Sequence, residues 1–122
     1  MPGKLMNTEW KPASVKNAEH YLWGDGCDGW HLLNRDEISV IQERMPSGTS
    51  EKMHFHKFAR QFFFVLDGTA TVDLEGEQTV LGKHQGIEVP PGISHQMRNE
   101  TLEDLSFLVF SVPKSHKDRY ER

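Results

Sequence analysis

The sequence predicts an all-β domain built as a sandwich or a barrel of short strands. From about residue 28 onward, runs rich in Val, Ile, Phe and Thr alternate with turn residues, and no helix-length stretch has a period of 3.6 residues. Asp67-Gly68 favours the positive φ of a tight hairpin turn, and Glu75-Gly76-Glu77 separates the next pair of runs in the same way. Many short strands with turns at regular spacing are typical of sandwiches and barrels.

The chain divides into three predicted parts. Residues 1–27 are predicted to form an extended N-terminal arm, because the first 16 contain two prolines and several lysines and show no clear period. Residues 28–113 are predicted to form the barrel, and the polar residues 114–122 a frayed C-terminal tail. Within the barrel we expect strands at residues 30–33, 38–44, 52–56, 61–66, 69–75, 78–81, 87–89, 95–99 and 105–112.

Length and charge limit the classes of function. A chain of 122 residues can bury one core but is too short for two. With 14 Lys and Arg against 18 Asp and Glu, the formal charge is −4, which argues against a nucleic-acid partner. The basic residues are scattered, apart from a short cluster at Lys114, Lys117 and Arg119 that we expect to be a solvated terminus.

The single cysteine and the absence of long apolar runs bear on the compartment. Cys27 has no cysteine partner in the chain, so no intrachain disulfide can form, and its flanking Asp-Gly pairs predict a turn. No run has the length of a transmembrane helix or of a secretory signal. We therefore expect a cytoplasmic protein with no membrane partner.

A group of polar residues predicts a metal site. His54 and His56 are two residues apart on a predicted strand, so their side chains lie on the same face. Gln61 begins the next predicted strand, and His95 begins a later one after a Pro-Pro-Gly turn. Three imidazole nitrogens and an amide oxygen suit one divalent transition metal, whether Zn, Fe, Ni, Mn, Co or Cu. A single histidine on a strand is more often a surface or hydrogen-bonded residue, so the prediction depends on the whole pattern.

Two motifs cover residues 48–99. The first is Gly48, five residues, His54-Phe55-His56, four residues, Gln61, six residues and Gly68. The second is Pro90-Pro91-Gly92, two residues, His95, three residues and Asn99. In order and spacing they resemble the two motifs of the cupins. The resemblance implies a small single-domain cupin: an all-β, antiparallel double-stranded β-helix, or jelly-roll barrel, with one metal ion inside, held by His54, His56, Gln61 and His95.

Two positions depart from the cupin pattern. His84-Gln85 stands where the family has a Gly-Asp corner, and we expect it to alter only the loop and to leave His84 exposed. Gln61 stands where the family usually has Glu. A neutral amide keeps the oxygen donor but leaves a divalent metal its full +2 charge, which favours anionic ligands. The alternative is that Gln61 marks a site that no longer binds metal.

In its metal ligands the chain resembles the cupins that linearise unsaturated uronates, and more generally the uncharacterised sugar-isomerase-like cupins. In the uronate enzymes an Asp and a Phe of the last strand and a later Arg take part in the chemistry. The corresponding positions here are Leu108, Phe110 and a position near Lys114. Leu108 has no carboxylate to move a proton, so the resemblance does not extend to that acid.

Strand alternation predicts which residues line the pocket and which form an interface. If Gln61 points inward, Phe62 and Phe64 point outward, as do Met53 and Phe55 beside the two strand histidines. Four large apolar groups exceed what a monomer usually exposes, so we expect a homodimer that buries them. The alternative is that the arm of the same chain covers them.

The pocket itself is expected to be mostly apolar. Its walls are expected to come from Phe63, Met97, Phe107 or Phe110. A polar residue of the pocket is expected from Gln42, Glu43 or Arg44 on the predicted strand 38–44. This strand has apolar residues on both faces, so alternation does not decide which of the three points inward. Tyr21, Trp23 and Trp30 precede the barrel as packing residues or as a lid.

Three functions are compatible with this pattern. The first is Lewis-acid chemistry of the isomerase, epimerase or lyase type on a small oxygenated, anionic molecule. The second is a metal-dependent dioxygenase, in which Gln61 vacates a coordination position. The third is a non-catalytic pocket that binds a small ligand, because no acid or base is identifiable from the sequence. Each of the three expects a small-molecule ligand.

Overall fold

A computed structural model describes residues 10–122 and confirms the all-β fold. The described part of the chain contains eleven strands and no helix. The strands are β1 (Glu19–Trp23), β2 (Cys27–Asn34), β3 (Ser39–Met45), β4 (His54–Phe55), β5 (Arg60–Asp67), β6 (Ala70–Leu74), β7 (Glu77–Leu81), β8 (Gly86–Val89), β9 (His95–Arg98), β10 (Leu105–Val112) and β11 (Tyr120–Glu121). Over residues 10–122 there is accordingly no helix that could cross a membrane.

The strands form two antiparallel sheets in a jelly-roll arrangement. One sheet has the order β1-β2-β3-β10-β5-β8 and the other β11-β4-β9-β6-β7. The core contains residues of both sheets, among them Phe63 and Phe107 of the first and Val72 and Met97 of the second. Two facing sheets with a shared apolar core therefore take the place of one closed ring of strands.

β5 alternates as the sequence predicts. Gln61, Phe63 and Val65 are buried, whereas Arg60 and Phe62 are exposed. β10 lies beside β5 and buries every second residue from Leu105 onward. These two strands therefore present their small and polar inward residues to one end of the core.

Of the two predicted hairpin turns, one is confirmed. Glu75 and Gly76 join the paired strands β6 and β7, both with positive φ, as a two-residue type I′ turn requires. The predicted hairpin at Asp67-Gly68 is wrong, because β5 and β6 belong to different sheets. Gly68 is in the left-handed region, but its turn carries the chain from one sheet to the other.

The structure corrects two expectations about the ends of the chain. β1 lies within the segment predicted as an arm and pairs with β2 along its full length. The prediction of a frayed tail is wrong: β11 pairs with β4, and Asp118 is buried. The tail has no apolar period, so only its partners in the folded chain order it. The division at residues 27 and 113 stays a prediction, and residues 1–9 of the arm lie outside the described part.

The four apolar residues predicted to form one patch do not lie together. Phe62 and Phe64 lie on β5, whereas Phe55 lies on β4 of the other sheet. Tyr120 of the tail stacks on Phe55 with ring centroids 5.2 Å apart, and the Arg122 guanidinium lies 4.2 Å from the centre of the same ring. The tail of the same chain therefore covers the β4 part of the predicted patch.

Candidate metal centre

Neighbouring strands bring the three predicted histidines together. His54 of β4 and His95 of β9 are direct cross-strand partners, and His56 follows β4 immediately. One ring nitrogen from each of the three lies within 4.8 Å of those of the other two. Their exposed fractions are 2%, 5% and 1% for His54, His56 and His95, so the cluster is buried.

Backbone carbonyls orient two of these rings. His54 Nδ1 lies 2.7 Å from the carbonyl oxygen of Lys52, and His95 Nδ1 lies 2.9 Å from that of Ile93. A carbonyl only accepts, so each Nδ1 carries the hydrogen and each Nε2 keeps a lone pair. Nε2 of His95 is buried and has no hydrogen-bond partner among the described residues. It is therefore available as a metal ligand.

Burial also favours the protonation state that a metal needs. Desolvation lowers the pKa of His54 to about 3 and that of His56 to about 4, and it lowers the pKa of His95 as well. The neighbouring His95 ring lowers the first two further. All three imidazoles are therefore neutral at pH 7, which is the form that binds a metal.

Gln61 presents an unpaired oxygen to the same cavity. Its side chain is buried, and its Nε2 donates to Oγ of Ser111 at 2.9 Å. This bond leaves Oε1 buried with no partner in the part of the chain that the structure describes, a costly arrangement unless a ligand satisfies it. The donor set therefore fits one divalent metal. The ligand role of Gln61 itself stays a prediction.

The cavity beside the histidines has a volume of about 260 Å³ and is more polar than the sequence predicts. Phe63 lines it, whereas Phe110 lies on the outer face of β10 and Met97 and Phe107 pack in the core. Of the three polar candidates on β3, Glu43 reaches the cavity. Arg44 instead pairs with Asp28 and Asp104.

Two carboxyl groups stand in the wall of this cavity. The hydroxyl of Tyr21 donates to Glu43 Oε2 at 3.0 Å, and Glu51 Oε2 accepts from the backbone N–H of Met97 at 3.0 Å. Burial raises the pKa of Glu43 to about 7. Burial, and then the charge of Glu43, raises the pKa of Glu51 to about 8. Both groups can exchange protons near neutral pH.

The sequence alone does not identify Glu51 as a site residue. It lies in the five-residue spacer between Gly48 and His54, where a carboxyl three residues before the first histidine is the signal that could have found it. Arg119 is a second missed residue, since the sequence predicts it in a solvated tail. Its Nη1 lies 4.0 Å from Glu51 Oε1, and it lines the cavity.

The last strand presents other residues than the resemblance implies. Leu108 and Phe110 face away from the cavity, and the inward residues toward the end of β10 are Val109 and Ser111. Lys114 donates to Asn34 on β2 and does not line the cavity. No carboxyl of β10 reaches the histidines, so the acids here come from β3 and from the segment before β4.

A second cavity of about 450 Å³ adjoins the first. Tyr21, Glu43, Glu51 and Arg119 line both, and Trp23 lines the outer one. Trp30 lines neither and lies 5.2 Å from the His20 ring, between ring centroids. Of the three aromatic residues that precede the barrel, two therefore stand at the mouth of the site.

Two known proteins are similar to this chain in sequence. The polyketide synthase CurC of Streptomyces cyaneus is 30% identical over 73 residues, which are 60% of this chain and 47% of that protein. The uncharacterized protein MJ1618 of Methanocaldococcus jannaschii is 27% identical over 121 residues, covering 94% of this chain and 93% of that one. The chain thus spans about half the length of CurC and nearly all of MJ1618.

Two solved structures superpose over most of the chain. KdgF from Halomonas sp. has a TM-score of 0.79 at 16% identity, covering 88% of this chain and 98% of that one. An RmlC-like cupin from Shewanella frigidimarina has a TM-score of 0.79 at 19% identity, covering 92% and 98%. Residues 41–111, more than half of the chain, match the family model of the cupin domain. The chain therefore belongs to the cupin family.

Proposed function

We propose that this cupin binds one divalent metal through His54, His56, His95 and Gln61 and acts on a small oxygenated, anionic molecule. The observation that supports the proposal best is the buried group of unpaired donors, namely His95 Nε2 and Gln61 Oε1 beside two neutral imidazoles. When bound, a divalent metal supplies Lewis-acid polarisation of a ligand oxygen. The four ligands are neutral, so the metal keeps its charge and favours an anion.

The two glutamates supply the proton chemistry. An isomerisation that moves a hydrogen between neighbouring carbons removes a proton from one carbon and returns one to the next, which a base and an acid on the cavity wall can do. Glu43, with a pKa of about 7, is partly ionised at neutral pH and acts as the base. Glu51, with a pKa of about 8, is mostly protonated and acts as the acid. This pair favours isomerase or lyase chemistry over oxygenation, which does not need two such groups.

Arg119 completes the site as the contact for the anionic group of the ligand. Among residues 10–122 its guanidinium makes only long contacts, 4.0 Å to Glu51 Oε1 and 3.5 Å to the carbonyl oxygen of Lys52. Most of its donors are therefore free for a carboxylate or a phosphate. The metal and Arg119 would then hold a small oxygenated anion from two sides, next to the two glutamates.

Metal content tests the first step. Elemental analysis of the protein as purified should give about one divalent metal per chain, and His54→Ala should lose most of it. His84→Ala is the matched control, because His84 is exposed and lies outside the cavity. A wild-type protein that binds no metal, or a His54→Ala variant that keeps it, contradicts the proposal.

Hydrogen exchange into substrate tests the second step. Zn- or Mn-loaded protein in D₂O should catalyse deuterium incorporation next to the carbonyl of one member of a panel of uronic acids and sugar phosphates, followed by NMR. Glu51→Gln should keep its metal and lose about 100-fold or more of this activity. Oxygen consumption with no deuterium incorporation would favour the dioxygenase. The absence of both oxygen consumption and deuterium incorporation would favour a binding module.

We also propose that the protein is a homodimer through the outer face of the six-stranded sheet. Phe62 and Val112 are exposed there, and Phe110 lies 6.3 Å from Phe62 between ring centroids. Arg60 and Glu88 form an ion pair at the edge of this patch. An apolar centre with a charged rim is typical of protein interfaces. The cytoplasmic compartment stays a prediction.

A further inference from the structure

The C-terminal tail is fastened to the loop that joins two of the metal-binding residues. Asp118 is 8% exposed, and its carboxylate accepts hydrogen bonds from three consecutive backbone N–H groups. Oδ1 lies 2.8 Å from the nitrogen of Lys57, and Oδ2 lies 2.9 Å from those of Phe58 and Ala59. These three residues lie between His56 and Gln61. A residue of the tail therefore organises the loop of the site.

The residues around Asp118 form a wall of the metal cavity. Ser115, His116, Lys117 and Arg119 all line it. Lys117 has a φ of 63°, in the left-handed region that a residue with a Cβ seldom adopts. Such a conformation persists only where the surroundings hold it, and the three hydrogen bonds of the next residue supply that constraint.

A second attachment follows two residues later. Tyr120 pairs with Phe55 as part of β11, and the backbone N–H of Arg122 donates to the carbonyl oxygen of Met53 at 3.1 Å. Both partners flank His54. Residues 115–121, here called the strap, are thus fixed on one side to the loop after His56 and on the other to β4.

We propose that Asp118 is a positioning residue that docks the strap over the histidine cluster, so that the C-terminal segment closes the site and holds Arg119 in its wall. The role of Arg119 as a contact for the ligand is part of the proposed function, and this inference rests on the proposed function to that extent. The closure itself does not, because it depends only on the contacts between the strap and the barrel.

The charge of Asp118 is the essential feature. A carboxylate that accepts three N–H donors is a strong, charge-assisted anchor. Burial raises the pKa of Asp118, but the three backbone hydrogen bonds together outweigh it, so the pKa is lowered and the group stays ionised. Ala at this position would leave the N–H of buried Ala59 without its acceptor. Asn would keep one acceptor oxygen and place an NH₂ group against another N–H.

The test uses the metal-free full chain, so it is independent of whether the protein binds metal. Hydrogen exchange is measured by mass spectrometry on wild type, Asp118→Ala and Asp118→Asn. In the same proteins, the rate at which diethyl pyrocarbonate modifies each histidine is measured by peptide mapping. Exposed His84 is the internal reference. Asp36→Ala is the control, because it removes the same negative charge near the strap. The Asp36 carboxylate pairs with Lys114 and accepts no hydrogen bond from the N–H groups of residues 57–59.

We expect amides of residues 115–121 to exchange at least 10-fold faster in Asp118→Ala, and those of β10 to be unchanged. His54 and His56 should be modified at least fivefold faster, with His84 unchanged. Asp118→Asn should give smaller changes in the same direction. If β10 also loses protection in Asp118→Ala, that variant has lost more than the contact of the strap, and Asp118→Asn is used in its place.

Two results would overturn the inference. If the strap stays protected in both Asp118 variants, Asp118 does not dock it. If the strap loses protection while His54 and His56 react as slowly as in wild type, the strap does not close the site. Absence of bound metal in wild type would contradict the proposed function and would leave both of these measurements intact.

Discussion

At the scale of single residues, Gln61 shows how one side chain sets the charge of the site. Its amide nitrogen donates to Oγ of Ser111, and its oxygen is buried beside the cavity that Gln61 lines. A glutamate here would have the same shape but add a negative charge to the ligand set. Under the proposed function, the identity of residue 61 would therefore trade metal affinity against attraction for an anionic ligand.

Gln61→Glu should tighten divalent metal binding by about tenfold, or ~1.4 kcal/mol, and weaken binding of malonate to the metal-loaded protein by a similar factor. Metal affinity is measured by competition with a chromophoric chelator and malonate binding by calorimetry. Gln42→Glu is the control, since this substitution adds the same negative charge on the face of β3 that points away from the cavity. Equal metal affinity in wild type and Gln61→Glu would argue against Gln61 as a ligand.

Glu43 makes stability depend on pH in an unusual direction. Its pKa is about 7 in the folded chain and near the ordinary 4.5 in the unfolded chain. Between these values the folded state binds more protons than the unfolded state. The free energy of unfolding therefore falls as pH rises through this window, with the contribution of Glu43 fully present below it.

Glu43→Gln should accordingly flatten this dependence in the metal-free protein. Relative to wild type, the variant should gain about 1–2 kcal/mol of unfolding free energy between pH 5 and pH 8, a reduced value because the side chain is only half-buried. Urea denaturation at both pH values measures this gain. Glu88→Gln, at an exposed ion pair, is the control. Parallel profiles of wild type and Glu43→Gln would contradict the expectation.

At the scale of elements, two turns with a glycine at positive φ connect the strands in different ways. Gly76 closes the β6–β7 hairpin, and a Cβ there would meet nothing within 4 Å. Gly68 carries the chain between the two sheets, and a Cβ there would lie 2.5 Å from the carbonyl oxygen of Asp104. The crossover is tight because it packs against the backbone that leads into β10.

Gly68→Ala should therefore destabilise the protein by about 3 kcal/mol or more, and Gly76→Ala by about 1 kcal/mol. Both substitutions place a Cβ at positive φ, so their difference isolates the steric contact with Asp104. Chemical denaturation of the two variants beside wild type measures it. Equal losses would show that the backbone near Asp104 can move away at no cost.

At the scale of the whole molecule, the apolar surface of the two sheets is treated differently: the strap covers part of one sheet, and the outer face of the other stays exposed. The tail covers Phe55 on one sheet, and Phe62 and Val112 stay exposed on the other. The tail of the same chain thus covers part of one sheet, whereas the apolar residues of the other sheet form the face that we propose for the dimer. This division follows from the topology, which places β11 at the edge beside β4.

The dimer has a direct test. Wild type should have about twice the chain mass of 14.1 kDa in size-exclusion chromatography with light scattering at micromolar concentration, and Phe62→Lys should have the mass of one chain. Val80→Lys is the control, because Val80 is an exposed apolar residue on β7 of the other sheet. A wild-type protein of one chain mass would refute the dimer.

What the sequence determines by itself is the fold and the three histidines. Both are local in origin: alternation of apolar residues specifies the buried faces of β5 and β10, and a spacing of two puts His54 and His56 on one side of a strand. His95 and Gln61 follow from the order of the two cupin motifs. The strand faces need only a short stretch of chain to be visible, whereas the pattern of the two motifs extends over residues 48–99.

Only the tertiary structure decides the rest of the site. Glu43, Glu51 and Arg119 come from segments that meet because two sheets face each other, and nothing in the neighbourhood of each residue indicates the other two. The strap is the clearest case. Its order comes from N–H groups about sixty positions earlier in the chain, so a polar segment without a period becomes a wall of the cavity beside the histidines.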